Sequence, residues 1–323
     1  MIKIINLLYY DINKLKKNAV FKEIFAQISG SAFKFLYAVN SLMSARMKFF
    51  KDIYVAEEND IPYALIGVKV LSGEEIRAHI TNFILVENSL NIAENLINSV
   101  VQKFSAKGVS TFFIHIDKND NELKDLFLSK ANFRVLSGET FFDIKREYGE
   151  YNPHNYIKKM AEKNILNSLD LYNFLLSPNF KFYFKKNFIE FRQNLFSKNN
   201  EKLNYIIQNP KTDEIYAYFT LTKNAENTWI LEPYIMNRYA SYILDIIEFA
   251  NNILSKKFET YSLKLLLCKY LTSYDDVESI LKNSGFEVIK ENLILSKDYL
   301  KRVKDQVEIK NSSIVFNDIN PAY

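Results

Sequence analysis

The feature that most constrains this chain is an internal repeat. Asn132-Phe133 and Gly285-Phe286 each follow a short helical stretch and precede an apolar strand, and they lie 153 positions apart. The order of segments around the first pair recurs around the second. A period this long marks duplication of a whole domain, because solenoid repeats run at ~20–50 residues. The length of 323 residues fits two domains of ~150 residues each. The clearest break is EYGEYNPHN at 147–155, where Gly149 and Pro153 interrupt regular structure among polar residues. The expected division is therefore a first domain over 1–147, a second over 155–303, and a polar tail over 304–323.

Local patterning supplies the elements of each half. In the first, an apolar strand over 2–9 precedes a helical region over 20–49, with Phe21, Ile24, Phe25 and Ile28 at helical spacing. IYVAE (53–57) and YALIGVKVL (63–71) read as an antiparallel hairpin, and RAHITNFILVE (77–87) as the next strand. Residues 90–106 carry Ile92, Leu96, Val100 and Phe104 on one helical face. VSTFFIHI (109–116) reads as a strand buried on both sides. A short helix over 121–130 and the strand ETFFDI (139–144) complete the half. The second half repeats this order: helical segments within 166–197, a hairpin over 203–221, the strand TWILEPYIM (228–236), a helix over 239–255, the strand YSLKLLLCKY (261–270), a helix over 275–283 and the strand ENLILSK (291–297). Aromatics and basic residues interleave over 180–196 (FKFYFKKNFIEFRQNLF), which reads as one amphipathic helix with its basic groups snorkelling outward.

Several classes of protein fit poorly. The net charge of +4 comes from scattered basic residues, well short of a concentrated nucleic-acid footprint. The single cysteine, Cys268, allows no internal disulfide, and His79, His115 and His154 lack metal-ligand spacing. The N-terminal apolar stretch precedes its charges and lacks a small-residue cleavage site, so it reads as a strand and not as a signal peptide. No run of ~18 apolar residues is present, and the expected location is the cytoplasm.

The element order, a strand, two helices, three antiparallel strands, then helix, strand, helix, strand, resembles the GNAT acyltransferase fold, once per half. ITNFILVEN (80–88) is similar to the fourth strand of that family, with Asn88 in place of its proline. The family follows this strand with a glycine-rich turn at a helix N-terminus, where backbone N–H groups and the helix dipole hold the pyrophosphate of coenzyme A. Here ENSLNIAEN (87–95) places Asn91 and Ala93 at the two small positions, and Ser89 or Asn88 is positioned to cap the helix. DKNDNELKDLFLSKANF (117–133) matches the family in Asn121, which corresponds to a contact with the pantetheine arm, and in Phe133. Leu128 stands where the family has a tyrosine acid. In the second half Arg238 matches the first position of the turn and Ser241 a small one, while Tyr274 replaces the Asn and Leu281 the tyrosine.

The resemblance implies an α/β fold of two tandem GNAT-like domains, each with a mixed sheet, acting as an acyl-CoA-dependent N-acyltransferase that moves an acetyl group from acetyl-CoA to a small-molecule or peptide amine. The backbone at Leu85 and Val86 is the candidate for polarising the thioester carbonyl. Glu232, four positions before Met236 and flanked by Trp229 and Pro233, is the first candidate for the base, and His79 is the second. Two alternatives stay open. One is an aminoacyl-tRNA-dependent transferase, a duplicated relative of the same fold. The other is an inactive binding or scaffold protein, consistent with the missing tyrosines.

Overall fold

The computed structural model describes residues 2–7, 12–15, 52–70, 76–86, 89–145, 156–196, 201–209, 211–212, 214–224 and 227–299. The helical region expected over 20–49, the break at 147–155 and the tail lie outside the described residues. Where described, the chain runs β1 (Ile2–Asn6), a helical turn α1 (Ile12–Leu15), β2 (Ile53–Glu58), β3 (Ile61–Val70), β4 (Arg77–Leu85), α2 (Leu90–Ser105), β5 (Thr111–Asp117), α3 (Asn121–Lys124) and β6 (Arg134–Ile144). It then repeats as β7 (Ile157–Lys159), α4 (Ile165–Leu175), α5 (Lys181–Phe184), α6 (Phe188–Leu195), β8 (Lys202–Gln208), β9 (Ile215–Lys223), β10 (Thr228–Ile235), α7 (Tyr242–Lys257), β11 (Ser262–Cys268), α8 (Tyr274–Asn283) and β12 (Val288–Asp298).

All the strands join one sheet of 12, in the order β1-β2-β3-β4-β5-β12-β6-β11-β10-β9-β8-β7. Replacing each strand of one half by its counterpart in the other, and reading backward, returns the same order. The final strands are exchanged: β12 of the second half pairs with β5 of the first, and β6 of the first pairs with β11 of the second. The two exchanged strands pair antiparallel with each other, and Glu139 faces Asn292. Asn292 lies 153 positions after Glu139, the interval of the sequence repeat. On either side, Ser137 pairs with Ile294 and Phe141 with Lys290, and each pair maps onto the other under the same shift. A pseudo-two-fold axis therefore passes through the Glu139–Asn292 pair.

The repeat that revealed the duplication has a backbone cause. Asn132 and Gly285 both adopt left-handed backbone, with φ of 55° and 84°. Glycine and asparagine tolerate that region best, so they end the preceding helix and turn the chain into the exchanged strand. The phenylalanines that follow pack inward: Phe133 is buried, and Phe286 packs against the core of its half.

α2 covers one face of the first half with Ala93, Leu96, Ile97, Val100 and Phe104, and α7 covers the corresponding face of the second with Ile243, Ile246, Ile247, Ala250 and Leu254. Both stripes recur at helical spacing. β5 and β11 lie centrally, as their apolar runs predict, and Phe112–Ile114 are buried. On the opposite face α4 and α6 cover the middle of the sheet, so that Phe113 of the first half shares a core with Tyr172 and Phe191 of the second.

Two expectations need correction. The segment over 180–196 is not one helix. It breaks after Phe184, where Lys185 turns extended, and restarts at Asn187, whose side chain accepts from Glu190 N–H at 2.9 Å. The stretch over 121–130 is not one α-helix either: α3 passes at Asp125 into a π-helix that runs to Lys130. The wider turn moves Leu126 and Phe127 into the core.

The exchange leaves little room at its centre. A Cβ added to Gly138 would stand 3.1 Å from the backbone oxygen of Asn292, which the strand pairing holds in place. Gly138→Ala is expected to destabilise the protein by about 1–3 kcal/mol, as overpacking does, measured by urea unfolding.

Candidate active site

In both halves the parallel pairing of the fourth and fifth strands is short. β4 pairs with β5 only over Arg77–His79, and β10 with β11 only over Thr228–Leu231. Beyond these residues the strands part, leaving a V-shaped opening. In the first half β4 also carries an irregularity: Gly67 pairs with Asn82, but Val68 pairs with Ile80, so Thr81 is an extra residue. Such a bulge bends the strand and re-aims its groups, here away from β5. β10 pairs with β9 without interruption.

Backbone groups of β4 alternate in direction. Val86 N–H donates to Tyr63 O at 2.9 Å, so it belongs to the sheet. Leu85 N–H, one residue earlier, points the other way, into the opening. The second half repeats this arrangement, with Met236 N–H donating to Tyr216 O at 3.0 Å and Ile235 N–H facing the opening. Of the two residues named for carbonyl polarisation, Leu85 presents its amide and Val86 does not.

At the mouth of each opening lies a helix N-terminus. Ser89 is buried but does not cap α2: its hydroxyl lies against the carbonyl oxygens of Val86 and Tyr63, and among the described residues no side chain caps that end. Asn91 is exposed, and its Oδ1 accepts from Lys130 Nζ at 3.3 Å. Ala93 is fully buried and faces the core. Asn121 is exposed at the start of α3, which Asp120 caps by accepting from Leu123 N–H at 2.9 Å. The second turn is different. Arg238 pairs with Glu214 at 2.7 Å and lies 4.8 Å over the Tyr239 ring. Tyr239 stands 4.2 Å from Tyr216 and 5.8 Å from Tyr242, and Tyr242 stands 5.6 Å from Tyr156, so a row of rings lies along this helix start. Ser241 is exposed and makes no capping bond. The first turn of α7 carries Asp245, whereas the first turn of α2 carries no acid. Beside α7 is a groove of 440 Å³ lined by Asp143, Asp245, Glu248 and Glu287 together with Lys145.

Glu232 is the first residue of β10 beyond its ladder with β11. It is half-buried and accepts from Tyr234 OH at 3.2 Å. Trp229 belongs to the core on the opposite face, so it does not enclose Glu232 as the sequence proximity suggested. Tyr234 stacks on Tyr218 at 4.5 Å and meets Tyr172 at 5.6 Å. Burial pushes all three hydroxyls well above the usual tyrosine range, and it pushes the Cys268 thiol up as well, which leaves the sulfur protonated and unreactive.

His79 ends the ladder of the first half. Burial, reinforced by His115 and the neighbouring cations Lys186, Lys69 and Arg77, holds its imidazole down to about 3. It is therefore neutral at any physiological pH and weak as a base. Its ring lies 5.7 Å from that of His115, whose Nδ1 is 3.0 Å from Glu139 Oε2. Asn292 Nδ2 donates to the same oxygen at 3.3 Å. Sequence reasoning missed the His115–Glu139 contact. Alternation along β5 places His115 on the face of Phe113, but its partner stands two strands away, across an exchange that no local pattern announces.

The second half also roofs the opening of the first. Arg77 pairs with Glu190 of α6 at 3.0 Å, with side-chain exposures of 4% and 6%. The same guanidinium donates to Tyr183 O at 2.7 Å. Phe184 packs 5.9 Å from Phe113 and stacks on Tyr270 at 4.1 Å.

No family model matches the sequence, and no curated protein matches it. Solved structures do match. A GCN5-related N-acetyltransferase from Sphaerobacter thermophilus is similar with a TM-score of 0.56 and 8% identity, over 83% of this chain and 85% of that one. A tandem GNAT protein from the clavulanic acid biosynthesis pathway is similar with a TM-score of 0.55 and 9% identity, over 76% and 82%. A GCN5-related N-acetyltransferase from Anabaena variabilis reaches 0.51 and 12% identity, over 92% and 73%. The chain therefore has the GNAT fold, as tandem domains in a mixed α/β sheet. Among the described residues, no helix is long and apolar enough to cross a membrane.

The Arg77–Glu190 pair yields a direct test of how the halves are joined. Arg77→Ala leaves a buried carboxylate without its guanidinium and is expected to cost about 3–5 kcal/mol in urea unfolding. The double change Arg77→Met with Glu190→Leu is expected to recover most of that loss.

Proposed function

We propose that this protein is an N-acyltransferase that takes an acetyl group from acetyl-CoA, with the thioester lying across the opening of the first half. The observation that carries this reading is the parting of β4 from β5 after His79, which turns the Leu85 amide toward a gap closed at its mouth by the N-terminus of α2. An amide so directed stabilises negative charge developing on a thioester oxygen. Two of the three similar structures, those from Sphaerobacter thermophilus and Anabaena variabilis, bear the name N-acetyltransferase, which agrees with this chemistry.

The first half suits coenzyme A better than the second. A pyrophosphate is held by backbone N–H groups and the positive end of a helix dipole. Among the described residues α2 offers that end without a side-chain cap and without an acid in its first turn, and Lys130 reaches Asn91 beside it. α7 carries Asp245, an Arg238 already matched by Glu214, and an acidic groove alongside. Asn91 and Asn121 are the exposed polar side chains of the first half proposed to meet the coenzyme. Ala93 contributes by its small size under the turn.

The reaction needs an amine acceptor, small molecule or peptide, that loses a proton before attack. Glu232 is proposed as the proton acceptor of the second opening only, because its carboxylate stands where β10 leaves β11. In an acceptor screen with acetyl-CoA, Glu232→Gln is expected to leave the turnover of the first opening intact. A drop of ~10²–10⁴-fold in total turnover would instead assign the reaction to the second half.

Coenzyme binding separates the two halves further. Titration calorimetry with acetyl-CoA is expected to give the same affinity for Arg238→Ala as for the parent. Lys130→Ala is expected to lose about tenfold, the lower end for a charge-assisted bond worth about 1.5–3 kcal/mol. A loss confined to Arg238→Ala would move the coenzyme to the second half, and absence of binding in the parent would favour a scaffold role.

A further inference from the structure

The pseudo-two-fold scaffold makes each departure from symmetry at its centre informative. Glu139 and Asn292 occupy equivalent positions on the axis, one charged and one neutral. The ladders also fix which residues of β5 and β11 correspond: Thr111 opposite Arg77 matches Ser262 opposite Thr228. By that register His115 corresponds to Leu266, and Asp117 to Cys268. The polar set is thus confined to the opening of the first half, and apolar or thiol side chains stand in its place in the second.

Within that set the geometry is directional. Glu139 is buried, with 7% of its surface exposed, and its Oε2 lies 3.0 Å from His115 Nδ1. A carboxylate there selects the tautomer with the proton on Nδ1 and leaves Nε2 as an acceptor. Nε2 makes no hydrogen bond among the described residues, and about a third of the side chain is exposed. His115 stands two residues past Phe113, the last β5 residue paired to β4, and therefore where the strands have parted. Asn292 Oδ1 is buried and without a partner among the described residues, although its Nδ2 bonds Glu139.

We propose that His115, oriented by Glu139, is the proton acceptor for the amine substrate in the first opening. This rests on the acyltransferase reading and names the group that the reading lacks, because neutral His79 cannot fill the role. His115 Nε2 takes one proton from the ammonium, and the freed lone pair forms the N–C bond to the thioester carbon. On collapse the C–S bond breaks, the coenzyme thiolate takes the second amine proton through water, and His115 returns its proton to solvent. The groups facing His115 are Glu139 from β6, Asn292 from β12, His79 from β4 and Asp117 on its own strand, with Lys186 and Arg77 beyond His79. Of these, Glu139 is the one whose carboxylate meets the ring.

The test combines imidazole NMR with kinetics on the full chain. With only three histidines in the sequence, His79→Gln and His154→Gln assign the His115 signals in nitrogen–proton correlation spectra. The parent is expected to show the Nδ1–H tautomer for His115, and Glu139→Gln to lose it, with Glu139→Asp retaining it in part. His115→Gln is expected to lower kcat by ~10²–10⁴-fold while acetyl-CoA affinity by calorimetry stays within about twofold. Glu139→Gln is expected to lower kcat together with the loss of that tautomer, and Glu139→Asp to recover part of both. An Nε2–H tautomer in the parent, or parent turnover in His115→Gln, overturns the proposal alone. No acetyl-CoA binding and no turnover in the parent overturns the acyltransferase reading and the proposal with it.

Discussion

The antiparallel pairing of β6 with β12 is the interaction on which the rest of the structure depends. Each of these strands leaves its own half and completes the sheet of the other. Without the exchange, β5 and β11 would each present an unpaired edge of apolar side chains, and an open edge of that kind invites association with other chains. The exchange removes both edges at once and merges two sheets into one. It also brings Tyr183 of α5 and the buried Glu190 of the second half onto Arg77 of the first, so residues of both halves meet at the closed end of the first opening.

A symmetric frame carries asymmetric chemistry. The two openings share the short parallel ladder, the amide turned into the gap and the helix at the mouth. They differ in their fillings. The second holds a stack of Tyr172, Tyr218 and Tyr234 with Glu232 at its rim, and a row of tyrosines follows its helix start. The first has a bulged β4, a helix start that Ser89 does not cap and the histidine–carboxylate pair. Leu281 is fully buried in the second half and Leu128 half-buried in the first, so neither opening holds a tyrosine at the position where the family has its acid.

Much of the fold was legible in the sequence because it is written in local terms. Helical spacing in α2 and α7, the apolar runs of β5 and β11, and the left-handed turn positions at Asn132 and Gly285 all depend on near neighbours along the chain. The break inside 180–196 was less legible, because aromatics at helical spacing continue through it and only the cap at Asn187 ends the pattern. The exchange was illegible: β6 and β12 read the same whether they pair within their own half or across. The site followed the same rule. Glu232 and Leu85 could be named because their positions are counted from strand ends. His115, Glu139, Arg77 and Glu190 could not be paired, since each contact joins residues from strands or helices that become neighbours only through the exchange.

The axis through Glu139 and Asn292 has a consequence for descent. Two strands traded about a two-fold axis are the arrangement of a homodimer, in which every substitution appears twice and symmetry-related positions meet as identical residues. At that axis a glutamate would face a glutamate, and two buried carboxylates in contact repel. Joining the copies into one chain lifts the restriction, so one position can stay acidic while its twin becomes an amide that bonds to it. The hydrogen bond from Asn292 to Glu139 is a contact that two identical subunits could not make at that axis.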